Sequence, residues 1–447
     1  MSWGVAILFA IVALIGRLVK GRWNNLLSIF SGFYALTISL ASFRLWKINA
    51  ASPLACTILA IGIIGYAAGY LTTIVVYQRR NALYKTSYLG EHTSTGQTYT
   101  ARKITIYLML FIVVLFTLYS SVRALLLLLS GTSFSLLRSL YFGGDAAVGR
   151  SKFDLFVYLP LMQSLVLLSC VVLFSNSPNF TAKSKTRIVI LVLACEVLSM
   201  FTNGGRENIV YMILTILFAY SISSVRSGHL DGRLKQIWKK RKKLFISIFC
   251  LCVVAVVIMT MSRSKTGETS FAYLRRTTYF YLSGWLPNFS LRLELLDNES
   301  FAHGYAFILG LVRLPAAVIH RLGVPDSQAY RIAEGITSSL QRRMDIGGGR
   351  TFNAYVSLFY YFYRDFGIIS VLVESFLFGM FCSHREKKFE INRNEKNMFW
   401  YLFAFFLIIS SMVRWEMVHI KTAMIVYYSV LFFKKKQIEK HSNDIVA

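Results

Sequence analysis

Charge is scarce in this chain of 447 residues: 16% are Asp, Glu, Lys or Arg, against about 25% in an ordinary soluble domain. A length that would suit roughly three soluble domains therefore lacks the polar residues to solvate them. Cysteine is sparse as well. The six present (Cys56, Cys170, Cys195, Cys250, Cys252, Cys382) all fall in apolar runs, which excludes a disulfide-stapled fold and reads as buried small hydrophobes. Cys250 and Cys252 make a C-x-C without a second ligand pair at zinc spacing. H-E-x-x-H, G-x-S-x-G and a Walker Lys-Ser/Thr are all missing, so metal-dependent proteolysis, a Ser/His/Asp triad and a nucleotide P-loop have no support. No internal repeat is visible, which weakens an inverted-repeat transporter. The first apolar run leads into Arg17, Lys20 and Arg22 without a small-residue cleavage site, so no cleavable signal peptide is expected.

Hydrophobic residues, by contrast, make up 55% of the chain and lie in long unbroken runs. Ile104 to Leu129 carries a single charge, Arg123, over a length where about 20 residues suffice to cross a bilayer. A transmembrane β-barrel would instead alternate polar and apolar residues in segments of about ten. The fold class expected is an all-α polytopic membrane protein. Apolar windows place about eleven transmembrane helices, at 3–19, 26–45, 53–77, 104–129, 155–175, 187–202, 208–225, 244–261, 354–382, 398–413 and 417–433.

Lys and Arg number 49 against 21 Asp and Glu, a formal charge of +28. With no basic soluble domain to hold it, nucleic acid is not an expected partner. More than half of the positive residues fall in one alternating set of loops: Arg17 to Arg22, Arg79 to Lys103, Lys183 to Arg187, Arg226 to Lys243, 385–396, and the tail from Lys434. The positive-inside rule makes that set cytoplasmic, with the N-terminus outside and the C-terminus inside. Three regions follow: N-terminal helices over 1–261, a large external loop over 262–352, and C-terminal helices with a cytoplasmic tail over 353–447.

The loop over 262–352 mixes aromatics with helical periodicity, and its eleven Lys and Arg outnumber its seven acids. Loops this long are usually functional. A basic cap on the outer face suits an anionic substrate presented from the bilayer, such as a lipid phosphate or pyrophosphate. Attraction to lipid headgroups is the plainer reading of the same excess.

Polar residues near the outer helix ends form three groups. Asn203-Gly204-Gly205-Arg206-Glu207-Asn208 is a turn opening a helix, where backbone N–H groups and Arg206 suit phosphate oxygens; a plain helix connection with an Arg206–Glu207 ion pair fits equally. Gly347-Gly348-Gly349-Arg350 resembles a phosphate nest and leads to Tyr363-Arg364-Asp365-Phe366-Gly367. The tyrosines at 355, 360, 361 and 363 read as interfacial anchors or as platforms for sugar rings, and Arg364 with Asp365 as a snorkelling pair. Arg414-Trp415-Glu416, with His419 and Lys421, occupies the turn before the last helix. Lys421 would lie about one turn inside the bilayer, where it needs a partner such as Glu374 or Glu196.

Three segments carry a family resemblance: Thr202 to Asn208, with its Gly-Arg helix opening; Phe301-Ala302-His303-Gly304-Tyr305 through Arg313-Leu314-Pro315; and Thr351-Phe352-Asn353 through Asp365-Phe366-Gly367. With the large external loop, the chain resembles the O-antigen polymerases, the Wzy-type oligosaccharide repeat-unit polymerases. Motif-level similarity covers about residues 200–380, and Ser370 stands where a second Gly is often seen. The resemblance implies a GT-C-like architecture in the bacterial cytoplasmic (inner) membrane, with the active site on the periplasmic face. It implies a glycosyltransferase needing no metal and no cofactor. Its partners would be undecaprenyl-pyrophosphate-linked glycans, membrane lipid and a chain-length regulator protein.

Such a reaction moves a growing glycan from its lipid pyrophosphate onto a sugar hydroxyl of the incoming unit. Cations must then stabilise the departing pyrophosphate. No Asp-x-Asp metal motif lies in the external loops, Asp297-Asn298-Glu299 being the nearest. Arginine can do this without a metal, and the candidates are Arg206, Arg313 and Arg350, with Arg275, Arg276 and Arg343 behind them. The acceptor hydroxyl needs a base, for which Glu207, Glu294, Asp365 and His303 are candidates. A transporter or flippase of a lipid-linked substrate, an O-antigen ligase-type enzyme and a membrane scaffold are the competing readings.

Overall fold

The structure is a computed structural model that describes residues 1–87, 98–133, 151–175, 179–203, 207–224, 270–296, 301–353 and 355–436, with a few isolated positions besides. The span expected over 244–261, Cys250, Cys252 and the turn residues Gly204, Gly205 and Arg206 lie outside the described residues. The described chain is helical nearly throughout. Five helices are long and apolar enough to cross a membrane: Ser2–Lys20, Pro53–Arg80, Lys103–Leu129, Asp154–Phe174 and Ile368–Ile391. These features define an all-α membrane protein.

In chain order the helices are α1 (Ser2–Lys20), α2 (Leu26–Ser42), α3 (Pro53–Ser87), α4 (Lys103–Leu129), α5 (Leu159–Phe174, entered through a π-turn at Asp154–Tyr158), α6 (Ala182–Asn203) and α7 (Glu207–Ser224). Then come α8 (Ser270–Ser283), α9 (Trp285–Glu294), α10 (Tyr305–Arg321), α11 (Gln328–Ser339), α12 (Leu358–Phe366), α13 (Ile368–Ile391), α14 (Glu395–Ser410) and α15 (Ile420–Phe432). The most extensive helix pairing is α3 against α13. Small residues make it possible: a Cβ on Gly69 would meet the Phe376 carbonyl oxygen at 2.0 Å, and one on Gly379 would meet that of Tyr66 at 2.1 Å. Close backbone approach through glycine is the usual basis of helix pairing in lipid, where apolar burial supplies little.

The described parts of the positively charged loops meet at one end. Lys20 and Arg22 pair with Glu386 and Glu390. Strand β1 (Thr98–Ala101) pairs antiparallel with β4 (Phe433–Lys436), and Glu395 accepts from the Ala101 N–H at 2.6 Å. The described part of 262–352 sits at the opposite end, beyond the far end of α2, where Tyr279 Oη donates to the Leu40 carbonyl.

That segment is not packed as a separate domain. The α9 helix is buried along most of its length, with Trp285 edge-on to Tyr34 of α2 at 5.5 Å. A single apolar core includes Trp285, Phe289, Leu309 and Ile336 together with the long helices. The run read as one span over 354–382 also divides. The N–H groups of Val356, Ser357 and Leu358 donate to the carbonyls of Val413, Met412 and Ser411 at 3.0, 3.1 and 2.7 Å, so the chain enters extended. It turns back through the short α12, and Gly367, at φ +68°, lets α13 begin in a new direction.

Candidate functional site

Helix length sets the depth of the site. At 1.5 Å per residue, the 16 residues of α14 and 13 of α15 reach roughly 24 and 20 Å, short of a hydrocarbon core of about 30 Å. The 24-residue α13 reaches roughly 36 Å. The turn between α14 and α15 is therefore sunk several ångströms below the rim that α13 attains.

This turn carries Arg414 and Glu416. Arg414 Nη2 donates to Glu207 Oε1 at 2.7 Å and its Nε donates to Glu416 Oε1 at 2.7 Å. Glu416 is fully buried; its Oε2 accepts from Thr422 Oγ1 at 3.1 Å and faces Lys421 Nζ at 3.6 Å. Glu207, the first residue of α7, keeps 28% of its side chain exposed, and Arg414 keeps 20%. Tyr211, one turn further along α7, lies within electrostatic reach of Glu207, Glu416 and Arg414. The cluster thus offers a part-exposed carboxylate, oriented and charge-balanced by a part-exposed guanidinium that a buried glutamate anchors from behind. Such a carboxylate can accept a proton from a hydroxyl placed above it.

The turn is locked to the start of α10. Trp415 Nε1 donates to the Phe307 carbonyl at 2.7 Å, and the two rings stack at 5.4 Å. Asp365 fixes the same helix end: its Oδ1 accepts from the N–H groups of Gly304 and Ala306, both at 2.9 Å, and its Oδ2 from Phe307 at 2.8 Å. Asp365 is fully buried. Its carboxylate caps α10, where the orphan N–H groups and the helix dipole favour an anion, and this geometry gives it a positioning task in place of contact with a substrate. His303 is exposed beside it at φ +51°, its ring 5.2 Å from Phe366.

Two of the expected arginines share an aromatic patch at the rim. Arg275 lies over Trp46 at 5.7 Å, and Arg350 over Phe280 at 5.6 Å. The three glycines before Arg350 serve the turn between β2 (Met344–Asp345) and β3 (Thr351–Phe352). A Cβ on Gly348 would strike the Trp46 carbonyl oxygen at 2.2 Å, and the Gly347 N–H already donates to Asp345 Oδ1 at 2.9 Å. Close packing against residues 46–49 thus accounts for Gly347 and Gly348.

The other candidates are placed as follows. Arg313 pairs with Glu334 at 3.2 Å; burial, and then Glu334, push the neighbouring Tyr330 up to about 12. Arg276 is half-buried, and Glu294 and Arg343 are exposed. Neither Glu294 nor Arg343 shares a contact with the Glu207 cluster among the described residues. Tyr360 and Tyr361 are core residues rather than interfacial anchors. Lys421 pairs with Glu416 and feels Glu196, whereas Glu374 faces Asp365. Arg414 is the hub that sequence reasoning left outside the site proper, although the close spacing of Arg414, Glu416, His419 and Lys421 in one short turn was its visible signal.

Fold and cluster together define a helical membrane protein with a charged, part-exposed site sunk beneath one rim. No protein-family model, no curated protein and no solved structure matches the chain.

Proposed function

We propose that the protein is a membrane glycosyltransferase that polymerises undecaprenyl-pyrophosphate-linked oligosaccharide repeat units on the outer face of the bacterial inner membrane. The observation that carries this reading is the sunken Glu207–Arg414–Glu416 cluster, lying at the same end of the bundle as the Arg275–Arg350 patch. A lipid-linked glycan places its polar head at that level while its tail stays in the bilayer. Glu207 is assigned as the base for the acceptor hydroxyl, with Arg414 orienting it. Arg350 and Arg275, with Arg206, are assigned to the pyrophosphate, whose negative charge grows as the sugar–phosphate bond breaks. This is the GT-C-like reading, with about eleven spans and no metal.

Helix interruptions and ionisable groups below the rim also favour a second reading, a transporter or flippase of the same amphipathic substrate. Detergent solution separates the two, because it has no compartments. Purified protein given lipid-linked repeat units should build a ladder of longer glycans; their absence under conditions that support the protein in membranes would favour transport. In cells, Arg206→Ala and Arg350→Ala should each stop polymer and leave single-unit glycans, with protein level unchanged. Full-length chains from both variants would refute the arginine assignments.

A further inference from the structure

Behind the Glu207–Arg414 cluster, between α5, α6, α7, α14 and α15, lies a cavity of about 30 Å³. Glu196, Gln163, Asn208, Tyr211, Phe406 and Lys421 are among its lining residues. It is large enough for a water or a small ion, since one needs roughly 10–15 Å³. Glu196 is only 3% exposed. Three oxygens here have no hydrogen-bond partner among the described residues: Glu196 Oε2, Gln163 Oε1 and Tyr211 Oη. Two of these can only accept, so what is missing is something positive or proton-donating.

The local charge points the same way. Among the described residues, three carboxylates (Glu196, Glu207, Glu416) share two cations, Arg414 and Lys421. His419 also faces Glu416 and adds charge only when protonated. An uncompensated carboxylate in a low-dielectric interior is expensive. The excess falls at Glu196: the Lys421 ammonium that it feels is already paired with Glu416. The other ionisable groups near Glu196 among the described residues are Tyr158 and Cys195, neither of which supplies positive charge. Among the described residues no cluster of three or more His, Cys, Asp or Glu is arranged to hold a metal, and the single negative charge of Glu196 with two neutral oxygens matches a monovalent ion in charge.

We propose that this cavity binds one monovalent cation, a sodium ion or a proton carried by water, on the Glu196 carboxylate with Gln163 Oε1 and Tyr211 Oη. The site is independent of whether the chain builds or moves glycans. Its occupancy supplies the counter-charge that Glu196 lacks and leaves Lys421 with Glu416, so the cation stabilises the arrangement around Arg414. A ligand held only by the folded protein raises its melting temperature.

The test is a thermal-unfolding titration of the purified full-length protein in detergent. Sodium replaces choline at constant ionic strength, and pH is varied separately. Wild type is compared with Glu196→Gln. A melting temperature that rises with sodium in wild type and not in Glu196→Gln identifies sodium. A rise on lowering the pH that Glu196→Gln abolishes, with no sodium effect, identifies the proton. If both proteins respond alike in both titrations, the cavity holds no cation and the proposal fails. Should Glu196→Gln not fold, Gln163→Leu gives the same decision: loss of one oxygen ligand should raise the half-saturating concentration of whichever cation acts by about tenfold, and an unchanged value overturns the site.

Discussion

Two networks of glutamates with Arg and Lys occupy opposite ends of this bundle, and their differences separate scaffold from site. At the basic end, Glu386 is fully buried and receives Lys20, Arg22, the Tyr70 hydroxyl and the Leu26 N–H. Three cations, Lys20, Arg22 and Lys387, meet two carboxylates, Glu386 and Glu390, there, and Glu386 also caps α2. At the opposite end, Glu207, Arg414 and Glu416 form a chain that runs from part-exposed to fully buried, in a turn set below the rim. Among the described residues its carboxylates outnumber its cations once Glu196 is counted. Carboxylates fully compensated by cations tie elements together; a carboxylate short of a counter-charge and facing a recess is left open to a ligand.

Breaking each network should therefore have different consequences. The largest effect is expected from Arg414→Gln, which leaves buried Glu416 with a weaker counter-charge and Glu207 unoriented. Glycan chain growth should fall at least about 100-fold, and stability by about 3–5 kcal/mol, measured by ladder formation and by thermal unfolding. Adding Glu416→Gln should restore most of the stability and none of the activity. If the double variant regains chain growth, the cluster is scaffold like its counterpart. Glu386→Gln keeps an oxygen for Leu26 and Tyr70 but loses the charge facing Lys20 and Arg22, which retain Glu390; it should cost about 1–3 kcal/mol, while activity per folded molecule stays at the wild-type level.

Gly348→Ala sharpens the comparison at the rim. Its Cβ, on a backbone at φ +64°, would displace the Trp46 carbonyl from the hairpin, for about 1–3 kcal/mol. Chain growth should weaken because Arg350 shifts, and a variant that unfolds no earlier than wild type would show that the contact is dispensable. The smallest effect is expected for Glu334→Gln. The Arg313–Glu334 pair is about one-third exposed on both sides, so thermal unfolding should register about 0.2–1 kcal/mol.

Much of the fold was legible in the sequence, because long apolar runs leave few options. The runs around α1, α3, α4 and α5 appear within a few residues of where their hydrophobicity placed them. What hydrophobicity does not encode is depth. The stretch 354–382 reads as one apolar span, yet Gly367 and the strand-like pairing of 356–358 with 411–413 divide it. Cys56, Cys170, Cys195 and Cys382 are buried free thiols, as the composition implied. The site was less legible, since every pairing in it is long-range. Glu207 and Arg414 are 207 residues apart, and nothing local distinguishes Asp365, which caps α10 across 58–61 residues, from a carboxylate facing a recess. Gly347 and Gly348 likewise answer to the backbone of Trp46 and Lys47, which no motif could reveal.

The central claim is that Glu207, held by Arg414, takes the proton from the acceptor sugar. Purified Glu207→Gln, with the unfolding profile of wild type, should build no glycan ladder from lipid-linked repeat units in detergent while wild type does. A ladder from Glu207→Gln at the wild-type rate would contradict it.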